Sequence, residues 1–160
     1  MTPRTFRSTL AVALASFGYV GFAPVAPGTV GSAAAIPLFL LLRWAGSAWI
    51  EIAACAVIIA AGAWSARLTE QALGVEDPGP VVIDEVAGML ISLLFLPGTW
   101  PVVLAAFVAF RVFDIVKPWP AGRLEHVPGG WGVMADDVMA GIYANLAIQI
   151  LMRVRPGLLA

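Results

Sequence analysis

Apolar residues in this chain come in long runs, separated by short stretches where Gly, Pro and the charged residues gather. The runs predict about five to six helices. The first, residues 6–20, is short and only moderately apolar, so it suits the membrane interface as well as a span. The second, "TVGSAAAIPLFLLL", runs from about Thr29 to Leu42, with Pro37 able to kink it. The third, from about Ser47 to Ala66, is the cleanest span, broken in charge only by Glu51. The fourth covers Val81 to Leu96 and stops at "PGTWP". The fifth covers Val102 to about Val116 and stops at Pro118 and Pro120. The last runs from about Asp136 to Val154, ended by Pro156 and Gly157. No segment shows the period-two alternation that a membrane barrel needs.

Composition turns these helices into membrane helices. Of 160 residues, 61% are apolar and only 12% charged, with a mean hydropathy of +0.92. Soluble domains carry roughly 25% charged residues, so this chain has too little polar surface to cover a globule in water. The expected fold is all-α, a polytopic membrane bundle forming one domain over residues 1–160, with some helices interfacial. Net charge is −1 and the basic residues are scattered, which excludes a nucleic-acid surface. The one cysteine, Cys55, cannot form an internal disulfide. The N-terminus has the outline of a signal peptide, but Gly18 and Gly21 interrupt it and it leads straight into a Pro-Gly loop. It is expected to stay in the mature chain.

Helix direction then gathers the charges. Asp84 and Glu85 open one predicted span, Asp114 and Lys117 close the next, and Asp136 and Asp137 open the last. In an up-down arrangement these three ends share one membrane face, with the loops 21–31, 67–80 and 114–136. Arg67, Arg111, Lys117 and Arg123 fall on that face, and Arg43, Arg153 and Arg155 on the other. Such a balance does not set the orientation.

Five carboxylates converging beside hydrocarbon repel one another unless positive charge is supplied. A divalent cation supplies it, and hard oxygen ligands without His or Cys suit Mg²⁺ or Mn²⁺ better than zinc. The candidate metal set is Asp84, Glu85, Asp114, Asp136 and Asp137. "DEVAG" and "DDVMAG" each add a glycine one turn on, Gly88 or Gly141, where a helix or ligand can come close. In "FRVFDIVKPWP", Arg111, Asp114 and Lys117 are spaced by three and form one polar stripe. Two cations beside an acidic metal site suit a phosphate. "APVAPGTVGS" offers Thr29, Gly31 and Ser32 near a helix start as further phosphate contacts, although a plain Pro-Gly turn uses the same letters. "GGWGVMADD" brings Gly129, Gly130 and Gly132 towards the aspartates as a flexible approach, with the single histidine, His126, just before it.

Taken together and in this order, "APVAPGTVGS", "IDEVAGM", "FRVFDIVKPWP" and "GGWGVMADDVMAG" resemble the phosphatidylglycerophosphatase A family of bacterial membranes. The similarity runs from about Gly18 to about Gln149. It implies a Mg²⁺-dependent enzyme that removes the terminal phosphate of phosphatidylglycerophosphate, at the cytoplasmic face of the inner membrane. The family's acidic motif residues fall on Asp84, Glu85, Asp114, Asp136 and Asp137. Its basic ones fall on Arg111 and Lys117, and its glycine-rich segment on Pro27 to Ser32. "AGRLEHVPGG" matches loosely and carries no role.

The expected mechanism is phosphomonoester hydrolysis. Carboxylates hold the metal, Arg111 and Lys117 stabilise phosphoryl charge, and Asp136 or Asp137 activates water or attacks directly. The expected partner is a phospholipid in the bilayer, while oligomeric state and the number of metals are not legible. The main rival is a small transporter or proton channel with carboxylate relays. An aspartyl intramembrane protease fits less well, because cations flank these acids.

Overall fold

A computed structural model describes residues 6–124 and 127–159, and His126 therefore lies outside the described residues. Those residues form seven α-helices and no strand. They are α1 (Phe6–Ala15), α2 (Pro27–Trp44), α3 (Ala48–Leu73), α4 (Ile83–Leu93), α5 (Trp100–Val116), α6 (Ala121–Leu124) and α7 (Trp131–Val154), with one 3₁₀ turn at Val20–Phe22. Only α3, with 26 residues, and α7, with 24, are both long and apolar enough to cross a membrane. At 1.5 Å per residue they reach about 39 and 36 Å, against a hydrocarbon core of about 30 Å. This narrows the sequence expectation of five to six membrane helices. The 11 residues of α4 reach only about 16 Å, about half of that thickness.

Side chains on the outside of the bundle suit lipid. Leu41, Val57, Leu104, Val108, Ile115 and Ile150 are all exposed. Exposed tryptophans mark both ends. Trp44, Trp49 and Trp100 cluster where α2 meets α3 and α5 begins, and Trp119 and Trp131 stand at the other end. Tryptophan favours such interfacial positions.

Inside, α4 packs most extensively against α7, and α7 also covers α5. The α4–α7 crossing is made by glycine. A Cβ on Gly141 would run into the Gly88 carbonyl, and one on Gly88 would sit 2.6 Å from the Asp137 carbonyl oxygen. The glycine following each acidic pair therefore admits a helix. Gly141→Ala is expected to cost about 1–3 kcal/mol through overpacking, read as a lower unfolding midpoint in detergent.

The end of α4 is secured from a distance. Its last carbonyls would otherwise lie unpaired in an apolar layer, but the Asn145 amide on α7 donates to Ser92 O at 3.1 Å and Leu94 O at 2.8 Å. At the end opposite the acids, Glu51 is buried and paired with Arg43 at 2.7 Å. Arg43 also donates to Leu96 O at 2.7 Å, which ties α2, α3 and the α4–α5 connection together. Glu51, the one charge in the cleanest predicted span, is thus part of an internal ion pair.

Candidate active site

Three carboxylates come together where α4 and α7 cross. Asp84 and Glu85 stand in the first turn of α4, and Asp137 on α7 faces them. One ligand oxygen from each lies within 4.8 Å of the other two. Asp136 and Asp137 are not at a helix start, as the sequence suggested. The α7 helix begins five residues earlier, at Trp131, because Gly130 takes a left-handed conformation (φ 78°) against the Ala63 carbonyl. Both aspartates are therefore buried side chains inside a helix.

Around the three lies a cavity of about 220 Å³, lined also by Asp114, Asp136, Lys117, Asp77, Pro27 and Gly28. The structure thus brings all five candidate acids to one end of the bundle, but not in equal roles. Asp114 is ion-paired with Arg111 at 2.7 Å. Asp136 Oδ2 is 2.6 Å from Lys117 Nζ. Lys117 caps α5 with a left-handed backbone (φ 46°), a conformation that costs a non-glycine residue about 1–3 kcal/mol. That strained cap holds the ammonium over the cavity.

Arg111 does not line the cavity; it stands behind it, 3.9 Å from Glu85 and 3.3 Å from the Ser32 hydroxyl. Ser32 in turn donates to Gly28 O at 2.8 Å. Of the proposed phosphate contacts on "APGTVGS", then, Ser32 anchors Arg111 and Gly31 packs against Val82. Thr29 is half-buried and outside the cavity lining. The segment also starts α2 at Pro27 and does not precede it as a loop. Gly28 is the residue that touches the site, for a Cβ there would collide with the Glu85 carboxylate.

Asp77 was not singled out from the sequence. It reaches the cavity from the loop after α3, where its φ is +43° and its N–H bonds Glu70 at 3.2 Å. The signal for it was present: an acid in a Pro-Gly loop, "EDPGP", two turns before the acidic pair of α4.

The electrostatics of the cluster suit a cation. Burial, then the neighbouring Glu85 and Asp137 charges, push the Asp84 carboxyl well above the ordinary carboxylate range. Glu85 is raised as well, again chiefly by burial. Asp84 Oδ1, Glu85 Oε2 and Asp136 Oδ1 are buried without a hydrogen-bond partner. Buried oxygens of this kind, with no nitrogen or sulfur ligand beside them, fit a hard divalent cation.

Fold and site together define an all-helical membrane protein with an acidic, cation-ready pocket at one end, flanked by Lys117 and Arg111. The family model for phosphatidylglycerophosphatase A matches residues 13–152. A protein of Bacteroides thetaiotaomicron, provisionally named phosphatidylinositol-3-phosphatase, is 43% identical over 81% of this chain and 86% of its own. The phosphatidylglycerophosphatase A of Escherichia coli is 40% identical over 76% of this chain and 72% of its own. That of Haemophilus influenzae is 38% identical, over 77% of each. No solved structure shows significant similarity. The chain belongs to the phosphatidylglycerophosphatase A family and is an enzyme, a phosphoric monoester hydrolase.

Proposed function

We propose that the protein hydrolyses phosphatidylglycerophosphate to phosphatidylglycerol and inorganic phosphate, using Mg²⁺, at the cytoplasmic face of a bacterial inner membrane. The observation that carries this reading is the Asp84–Glu85–Asp137 cluster, with its unpartnered buried oxygens, beside Lys117 in one small cavity. Those three side chains would hold the cation, and Asp114 and Asp136 flank them. A cation there would supply charge neutralisation and Lewis acidity.

The chain's own groups do the rest. Lys117 stabilises charge on the transferring phosphoryl group. Asp136, held through Oδ2 by Lys117, lines the cavity and takes a proton from the attacking water. Water adds to phosphorus, the P–O bond to the lipid breaks, and the leaving glycerol alkoxide takes up the proton that Asp136 accepted. Arg111 positions Asp114 and Glu85 from behind. A single turnover with ³²P-labelled substrate, quenched in acid, is expected to leave no label on the protein; label that hydroxylamine removes from Asp136 or Asp137 would mean direct attack by the side chain.

The relative provisionally named for phosphoinositide hydrolysis supports a second substrate reading, a 3-phosphoinositide monoester. A panel of phosphatidylglycerophosphate, phosphatidylinositol 3-phosphate and phosphatidic acid, each in mixed micelles, separates the two. The highest kcat/KM is expected for phosphatidylglycerophosphate, and preference for the inositol lipid would replace it. A proton channel finds less support, because the described acids cluster at one end and Glu51, near the other, is paired with Arg43.

A further inference from the structure

The carboxylate pocket, at about 220 Å³, is smaller than the roughly 300–1,000 Å³ of pockets that enclose a whole small ligand. It has room for a phosphate and little more. A larger groove lies beside it, of about 950 Å³, between α1 and the C-terminal half of α3. Its walls are largely apolar, with Val12, Phe22, Trp64, Leu68 and Leu73 along them, and Arg7 at one end.

Two chain segments separate the groove from the pocket, and each borders both. Pro80 lines the groove while its neighbours Gly79 and Val81 line the pocket. Tyr19 and Phe22 line the groove, and the same connection continues to Pro27 and Gly28 in the pocket. The two segments touch where Gly21 packs against the Pro80 carbonyl. A headgroup in the pocket and a hydrocarbon chain in the groove would therefore border the same two segments.

We propose that the α1–α3 groove holds an acyl chain of the phospholipid whose phosphate occupies the carboxylate pocket. This rests on the lipid-phosphatase reading and adds the place where the lipid body binds. Helix α1, which is too short to span, forms one wall of the lipid site.

Ala72→Trp tests it, since Ala72 lines the groove, is exposed, and touches none of the acids' cavity. For full-length protein in micelles, KM for a dipalmitoyl substrate should rise about tenfold or more while kcat holds. Both constants for a dihexanoyl substrate should stay near wild type. An equal effect on both substrates, or none on either, overturns the proposal. The second readout needs no activity: a phosphatidylglycerol with a diazirine in its acyl tail, photolysed with wild-type protein in vesicles. Label concentrated on residues 6–22 and 64–73 supports the groove, and label spread evenly over the outer faces of α3, α5 and α7 refutes it. If wild type releases no phosphate from either substrate, the phosphatase reading fails and the labelling alone decides the groove.

Discussion

Asp137→Asn is expected to lower phosphate release by about 10²–10⁴-fold, the range typical of a lost catalytic acid–base or ligand group, without unfolding the protein. The amide keeps the side chain's size, so packing at the α4–α7 crossing is kept. It removes one of three converging charges, the one that answers Asp84 and Glu85 from the facing helix. With less mutual repulsion in the metal-free state, the unfolding midpoint should hold or rise. Steady-state assay beside thermal unfolding in the same detergent checks both halves. A large activity loss with a fallen midpoint would make Asp137 a structural residue and weaken the metal assignment.

Lys117→Met is expected to cost about 10²–10³-fold in kcat, as for removal of one donor to developing negative charge. Two effects add. The transferring phosphoryl group loses a side-chain cation, and Asp136 loses the partner at 2.6 Å that fixes it. Because both act on the transition state more than on bound substrate, KM should move much less than kcat. Arg111→Met should be milder in kcat, since its guanidinium stands behind the cavity and acts through Asp114 and Ser32. A loss from Arg111→Met as large as that from Lys117→Met would show that Arg111 reaches the phosphate directly.

The gathering of distant acids was legible in the sequence because it follows from helix direction alone. Ends that alternate along an up-down chain must share a face, and Asp84, Asp114 and Asp137 do. The glycines after each acidic pair were legible for the same local reason, though helix packing, not a ligand, fills the space beside them. Helix ends were less so. An acidic pair before an apolar run reads as a helix start, yet α7 begins at Trp131, where Gly130 meets the Ala63 carbonyl, a tertiary contact with no local signature. The early stop of α4 at Leu93 likewise depends on Asn145, more than fifty residues away. Polar "RLTEQAL" hid the last two turns of α3, which continue to Leu73 and stop at left-handed Gly74. The Arg111–Asp114 pair, three residues apart on α5, was legible as local spacing, whereas the Lys117–Asp136 pair and the closeness of Asp84, Glu85 and Asp137 depend on how α4, α5 and α7 pack.

The central claim is that the buried acids are held together for a cation that serves phosphate-ester hydrolysis. Its most direct test is phosphate release from phosphatidylglycerophosphate by the purified protein, as prepared, after EDTA, and after Mg²⁺ is restored. The account predicts release that EDTA abolishes and Mg²⁺ recovers, with the fold intact throughout by circular dichroism. Release that persists undiminished in EDTA would contradict it, and the carboxylates would then need another source of compensating charge.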